Sequence, residues 1–316
     1  MDLPAITSWE IPGSDGRPIY GNTHLPVDWK ANPDLCHGHL ICSHGFKGYK
    51  DYGFFPLICH RAAERGLVAH RFNFSHSGMT PDIALFERPE LFEIDTWGRQ
   101  VDDLQTVIQA THYGDLDRSG SWDESNWPVV CFGHSRGGVT STLAAGRNSE
   151  PAFYERYWPG LKRSMPPAAL ITAAAPDYAC NLDDLAKEQL RTEGRLLSPS
   201  GRTGQDLYVG KDWLDEIQRD PEMYDPALAA AHVKCPTLII HGTGDTTVPV
   251  ECAHNLHHAA TPNSRLEIIE GASHTFDCPN PLPIDTPWDE VPEATRKLID
   301  LTVAFAVEQC EKARSA

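Results

Sequence analysis

The chain has 316 residues, 41% of them apolar, which is enough for a sizeable core without disulfide or metal staples. Its 44 acidic residues outweigh 27 basic ones, and the formal charge of −17 repels nucleic acid and anionic membrane surfaces. A strongly anionic substrate is disfavoured as well unless a local basic pocket receives it, so a neutral ester or amide is the simpler ligand. No apolar run reaches the roughly 18 residues that a membrane span needs. The start, Met1-Asp2-Leu3-Pro4, lacks the basic and then apolar regions of a secretion signal, and a cytoplasmic protein is the expectation. The nine cysteines are odd in number, scattered and without a Cys-x-x-Cys pair, and they read as reduced core residues.

Residues 6–11 and 18–25 alternate on either side of Gly13-Ser14-Asp15-Gly16 and predict an antiparallel hairpin. After it, short continuous apolar runs at 39–43, 67–74, 129–132, 168–174, 237–240 and 266–269 predict strands. Between them, helical spacing appears over 54–65, 96–111, 136–147, 252–260 and 293–310. Strands that are apolar on both faces and separated by helices predict an α/β domain around a mainly parallel, doubly wound sheet. Two stretches break the alternation. Residues 113–127 are polar and acidic, and residues 181–233 separate two sheet strands by about 50 residues, too many for an ordinary connection. The second stretch reads as a small inserted cap over an active site, leaving 1–180 and 234–316 as the core. Within the cap, 195–200 and 205–209 bracket Gly201-Arg202-Thr203-Gly204 as a hairpin, and 213–219 fit a short helix.

The run Pro128-Val129-Val130-Cys131-Phe132-Gly133-His134-Ser135-Arg136-Gly137-Gly138 leads an apolar strand through Gly-x-Ser-x-Gly into a helix, the context of a nucleophile elbow. Such a turn holds its serine in strained backbone geometry, and glycines two before and two after keep side chains from colliding with strand and helix. Ser135 is therefore the candidate nucleophile. The amide of Arg136, at a helix N-terminus, is a candidate oxyanion donor.

A serine hydroxyl needs a base, and the base needs a carboxylate to orient it. Asp245 follows the apolar strand 237–240 within His241-Gly242-Thr243-Gly244-Asp245, and His274 follows the next strand within Gly271-Ala272-Ser273-His274. In a parallel sheet the carboxyl ends of strands share one edge, so Ser135, Asp245 and His274 can meet there. A second oxyanion donor is expected from the loop Ser43-His44-Gly45-Phe46, with the amide of Phe46 as the candidate. Two metal-like patterns are weaker. Residues 115–123 open like a calcium loop but lack its closing glutamate, and His254-x-x-x-His258 lacks the glutamate of a zinc protease; a solvated loop and surface histidines are expected, and no metal.

The set Ser-His-Gly-Phe (43–46), Arg-Phe-Asn-Phe-Ser (71–75), Gly-His-Ser-Arg-Gly-Gly (133–138), His-Gly-Thr-Gly-Asp (241–245) and Gly-Ala-Ser-His (271–274) resembles that of the α/β-hydrolases. More closely it is similar to the dienelactone hydrolase-like and cinnamoyl (feruloyl) esterase-like branch, with the serine aminopeptidase-like hydrolases beside it. The resemblance covers residues 35–310 and implies the α/β-hydrolase fold and a Ser-His-Asp triad. Dienelactone hydrolases place cysteine at the elbow, and epoxide hydrolases and haloalkane dehalogenases place aspartate there, so Ser135 departs from those chemistries. In the cinnamoyl esterase-like branch an insertion with a hairpin covers the site and binds the acyl group; by that resemblance Gln205, Tyr208 and Trp213 contact substrate. The implied function is a serine carboxylesterase, acting without a cofactor through an acyl-enzyme on small to medium acyl esters, hydroxycinnamoyl (feruloyl) esters among them. A serine peptidase or amidase of the aminopeptidase-like branch is the alternative. A non-catalytic small-molecule binding protein on the same fold is the alternative of another class, and retention of every triad part speaks against it.

Overall fold

A computed structural model describes residues 4–27, 29, 36–116, 127–150, 152, 155–156, 166–260 and 262–315. Eight strands form one sheet: β1 (Ala5–Pro12), β2 (Pro18–Leu25), β3 (Gly38–Ser43), β4 (Leu67–Asn73), β5 (Val129–His134), β6 (Ala169–Ala173), β9 (Thr237–Gly242) and β10 (Ser264–Ile269), in the spatial order β1-β2-β4-β3-β5-β6-β9-β10. The first two strands make the expected antiparallel hairpin, β2 runs antiparallel to β4, and every later pairing is parallel. A parallel pair needs a crossover between its strands, and helices fill those crossovers.

The nearly unbroken apolar strands follow from helices on both faces. On one side Leu40, Cys42, Val130, Phe132, Ile171 and Ile240 pack against α1 (Phe55–Glu64) and the C-terminal α9 (Glu293–Ser315). On the other, the alternate residues Ile41, Val129, Cys131 and Leu170 pack against α3 (Trp97–His112) and α4 (Arg136–Ser149), with the short α2 (Pro89–Glu93) leading into α3. The helix α3 starts where it does because the Thr96 hydroxyl accepts from the Arg99 N–H, satisfying one of the otherwise unpaired donors of its first turn. Each fully buried Phe, Ile or Leu in these layers stabilises the fold by about 1.5–3 kcal/mol. All nine cysteines are free thiols, and most are buried.

The antiparallel end of the sheet carries a chain of buried polar side chains. Trp9 Nε1 donates to Thr23 Oγ1 at 2.9 Å, His70 Nδ1 lies 2.8 Å from the same hydroxyl, and His70 Nε2 lies 3.1 Å from His39 Nδ1. Burial drives the imidazole pKa of His70 down to about 3, so the chain is held together by neutral rings.

Between β6 and β9 lie α5 (Asp184–Glu193), the hairpin β7 (Arg195–Leu197) with β8 (Tyr208–Gly210), α6 (Lys211–Arg219) and α7 (Pro226–His232); α8 (Glu251–Ala259) follows β9. The hairpin and α6 match the expected positions, whereas α5 and α7 fall where no helix is predicted. Leu190, Trp213 and Leu214 from this segment join the apolar cluster around α3 and α4, which fixes the segment onto the main body. His254 and His258 are exposed on α8. Residues 117–126, most of the calcium-like loop, lie outside the described residues.

Candidate active site

Ser135 sits between the last residue of β5 and the first of α4 with φ 53° and ψ −123°, a region that L-residues avoid. Two glycines make the turn possible by close approach. A Cβ at Gly133 would stand 2.2 Å from the Gly137 carbonyl oxygen, and one at Gly137 would stand 2.2 Å from that of Ser43. Any side chain at either position would push β3, β5 and α4 apart.

The sheet order brings the other groups to the same edge. His274, in the loop after β10, places Nε2 3.1 Å from Ser135 Oγ and Nδ1 2.7 Å from Asp245 Oδ2. Asp245, in the turn after β9, accepts at Oδ1 from the N–H groups of Thr247 and Val248, each at 2.8 Å. Burial by itself would raise the Asp245 pKa. Hydrogen bonds from His241 and His274, joined by that of Val248, prevail and hold it well below the usual carboxylate range. The carboxylate therefore stays ionised and can orient His274 and stabilise its protonated form.

Three further histidines brace this arrangement, and none of them carries a role in the sequence reading. His241 Nε2 lies 3.2 Å from Asp245 Oδ2 and 3.0 Å from the Val248 carbonyl; since both neighbours only accept, Nε2 carries the proton. His134 Nε2 lies 2.8 Å from the His274 carbonyl and is a donor by the same argument. Burial, with His274 adding to it, lowers its pKa to about 3, so it remains neutral. His44 braces the loop that carries Phe46, with Nδ1 donating to the Gly45 carbonyl at 2.9 Å and Nε2 accepting from the Phe74 N–H at 3.4 Å. A signal existed: each motif, Ser-His-Gly, Gly-His-Ser and His-Gly-Thr-Gly-Asp, carries its own histidine beside the functional residue.

The candidate oxyanion residues flank the serine. Arg136 opens α4, so its N–H has no partner within the helix. Phe46 follows β3 in the turn of Gly45, and a Cβ at Gly45 would lie 3.1 Å from the Cβ of Ser135, which measures how closely that loop approaches. The neighbouring Lys47 ammonium donates to the Pro199 carbonyl at 2.6 Å and ties the loop to the β7–β8 hairpin.

Ser135 opens into a cavity of about 250 Å³ walled mostly by apolar groups, including Phe46, Trp97, Leu182, Leu196, Val209 and Trp213. Of the three residues expected to contact substrate, only Trp213 is in that wall. The Gln205 side chain is engaged elsewhere, with Oε1 accepting from the Phe86 N–H at 2.8 Å and Nε2 donating to the Phe86 carbonyl at 3.0 Å. Tyr208 lies outside the wall as well, its ring covered by the Arg195 guanidinium at 4.2 Å. A strand alternates its side chains, and it is the next residue, Val209, that faces the cavity.

A profile of the alpha/beta hydrolase family matches residues 35–294. Among solved structures, Est1E from Butyrivibrio proteoclasticus is similar with a TM-score of 0.61 at 17% identity, over 96% of this chain and 98% of its own. The same protein with ferulic acid bound gives a TM-score of 0.61 at 20% identity, over 95% and 98%. A dienelactone hydrolase from Anabaena variabilis gives 0.58 at 17% identity, over 97% and 99%. At these identities the likeness to the solved structures is one of fold. The family profile, in contrast, spans most of the chain and all three residues of the hydrogen-bonded Ser135–His274–Asp245 row, and the chain belongs to the alpha/beta hydrolase family.

Proposed function

We propose that the protein is a serine carboxylesterase that hydrolyses small to medium acyl esters through an acyl-enzyme. The observation that carries this reading is the row Ser135 Oγ–His274–Asp245, at 3.1 and 2.7 Å, opening onto a largely apolar cavity. His274 Nε2 takes the Ser135 proton as Oγ attacks the ester carbonyl, and Asp245 stabilises the imidazolium that forms. The Phe46 and Arg136 amides hold the oxyanion; loss of one such donor raises a barrier by about 3 kcal/mol. Collapse breaks the ester C–O bond, and His274 returns the proton to the departing alcohol. Water, deprotonated by His274, then cleaves the acyl-enzyme, releasing the acid and restoring Ser135. Residues 181–233 act as the cap, because Leu182, Leu196, Val209 and Trp213 from this segment complete the wall that faces the serine. Hydroxycinnamoyl esters are within the proposed acyl range, supported by the ferulic acid bound in the structural neighbour Est1E.

The test is turnover of a panel of 4-nitrophenyl esters, methyl hydroxycinnamates and aminoacyl anilides by the wild type and Ser135→Ala. Ester cleavage lost in the variant is the expected result. Equal turnover by Ser135→Ala would overturn the serine mechanism, and anilide cleavage without ester cleavage would replace the esterase by an amidase.

A further inference from the structure

Phe46 carries one of the two proposed oxyanion donors, and the residue that follows it is tied to the cap. Lys47 has φ 56°, in the left-handed region that residues with a side chain disfavour, inside a turn closed by the Gly48 N–H donating to the Gly45 carbonyl at 3.0 Å. Its half-buried ammonium lies 5.3 Å from the centre of the Phe46 ring, and among the described residues its hydrogen-bond partner is the Pro199 carbonyl at 2.6 Å. A charged donor at that distance makes one of the stronger hydrogen bonds a side chain can form.

Pro199 is itself firmly held. The Ser198 N–H donates to the Leu207 carbonyl at 2.7 Å and the Ser200 N–H to the Gln205 carbonyl at 2.9 Å, so bonds across the hairpin bracket Pro199 on both sides. The tip of the hairpin is anchored to the main body by Arg202, which donates to the Ile83 carbonyl and lies 4.6 Å from the centre of the Tyr49 ring, two residues beyond Lys47. The same hairpin presents Leu196, Ser198 and Val209 to the cavity. Two wall residues, Phe46 and Ser198, are thus joined by their next neighbours in sequence, Lys47 and Pro199.

We propose that Lys47 is a positioning residue that couples the filling of the acyl cavity to the oxyanion hole. An acyl chain that packs against Leu196, Ser198 and Val209 steadies the hairpin, and Lys47 passes that constraint to the Phe46 amide. A short acyl group leaves the hairpin untouched. The inference rests on the esterase reading and on Phe46 as an oxyanion donor. Binding energy from a remote part of a substrate that is realised as better placement of an oxyanion donor raises kcat, whereas the same energy realised as uniform binding only lowers KM.

The experiment measures kcat and KM separately for 4-nitrophenyl acetate and 4-nitrophenyl butyrate in the wild type, Lys47→Met, Lys47→Arg and Arg202→Met. Acylation and deacylation both pass through the oxyanion hole with the acyl group in place, so kcat reports the coupling whichever step limits it. Each buried methylene contributes a factor of about four, so the two extra methylenes of butyrate are expected to raise kcat/KM about tenfold. In the wild type at least threefold of this gain is expected in kcat. In Lys47→Met the butyrate-to-acetate ratio of kcat falls to about one while the KM advantage of butyrate persists. Lys47→Arg, which can still reach the carbonyl, restores most of the wild-type ratio, and general damage cancels because both esters meet the same enzyme. A wild-type kcat ratio of one or below, or a ratio in Lys47→Met equal to that of the wild type, overturns this inference and leaves the esterase reading standing. A wild type that cleaves neither ester overturns both. Should Lys47→Met fail to fold, Arg202→Met decides, since it loosens the exposed tip of the hairpin and leaves Lys47 in place: a lowered kcat ratio is expected, and an unchanged one overturns the inference.

Discussion

His241 Nε2 stands 3.2 Å from the same oxygen of Asp245, Oδ2, that holds His274. One carboxylate oxygen is thus shared between the proposed catalytic base and a fully buried second imidazole, while the other oxygen accepts two backbone N–H groups. With donors on both oxygens the Asp245 carboxylate has little freedom to turn, and the direction in which it presents its charge to His274 is set by β9 itself.

Replacing His241 by Phe keeps the ring volume and removes the donor. A hydrogen bond to a charged group contributes about 1.5–3 kcal/mol, which bounds the effect. Steady-state kinetics on a 4-nitrophenyl ester are expected to show kcat lower by about tenfold or more with KM changed little, the pattern of a positioning residue. An unchanged kcat would mean that the two N–H groups alone orient Asp245.

Gly137→Ala tests the elbow itself. The added Cβ would meet the Ser43 carbonyl oxygen at 2.2 Å and that of His44 at 2.5 Å, both backbone atoms that cannot rotate away. Destabilisation of about 1–3 kcal/mol is expected, as for an overpacked core, with a loss of activity larger than stability explains. Denaturant unfolding beside kinetics checks both, and wild-type values would show that the turn has more room than its geometry implies.

The buried histidines set the acid response. Burial lowers the pKa of His24, His70 and His134 to about 3 and of His44 and His76 to about 4, and takes His39 well below its ordinary value. In the unfolded chain these groups bind protons below about pH 6.5. As pH falls from about 6.5 towards 4 the unfolded state therefore takes up more protons, and stability falls. Asp95 and Asp103 oppose this. Burial raises them to about 7 and about 6, so they are protonated in the fold and ionised in the unfolded chain, and their contribution falls as pH rises from about 4 to 7. The histidines outnumber the two carboxylates, so the thermal midpoint is expected to drop between pH 7 and pH 5 at constant ionic strength. A midpoint that rises on acidification contradicts this balance.

The parts legible in the sequence were those written in short-range grammar. Ser135, Asp245 and His274 each follow an apolar strand, and a parallel sheet gathers strand ends along one edge, so their meeting could be read without coordinates. The helix α5 was not legible because Leu190 is its only buried residue and no apolar stripe marks it, although Asp183 at its N-cap and Gly194 at its C-terminus were signals. Gln205 looked available for substrate because its partner, Phe86, is 119 positions away. The side chain of Arg136 was hidden for the same reason: its amide follows from the elbow, but its contacts with Trp97, Phe46 and Asp95 depend on how separate segments pack.

In the proposed mechanism Ser135 attacks a carbonyl and carries the acyl group. Intact-protein mass spectrometry after brief mixing with 4-nitrophenyl butyrate and an acid quench, followed by peptide mapping, tests it directly. One added butyryl group is expected on Ser135, absent from Ser135→Ala and forming in His274→Ala only at a much lower rate. Nitrophenol release with no adduct, or an adduct on another residue that also forms in Ser135→Ala, would contradict it.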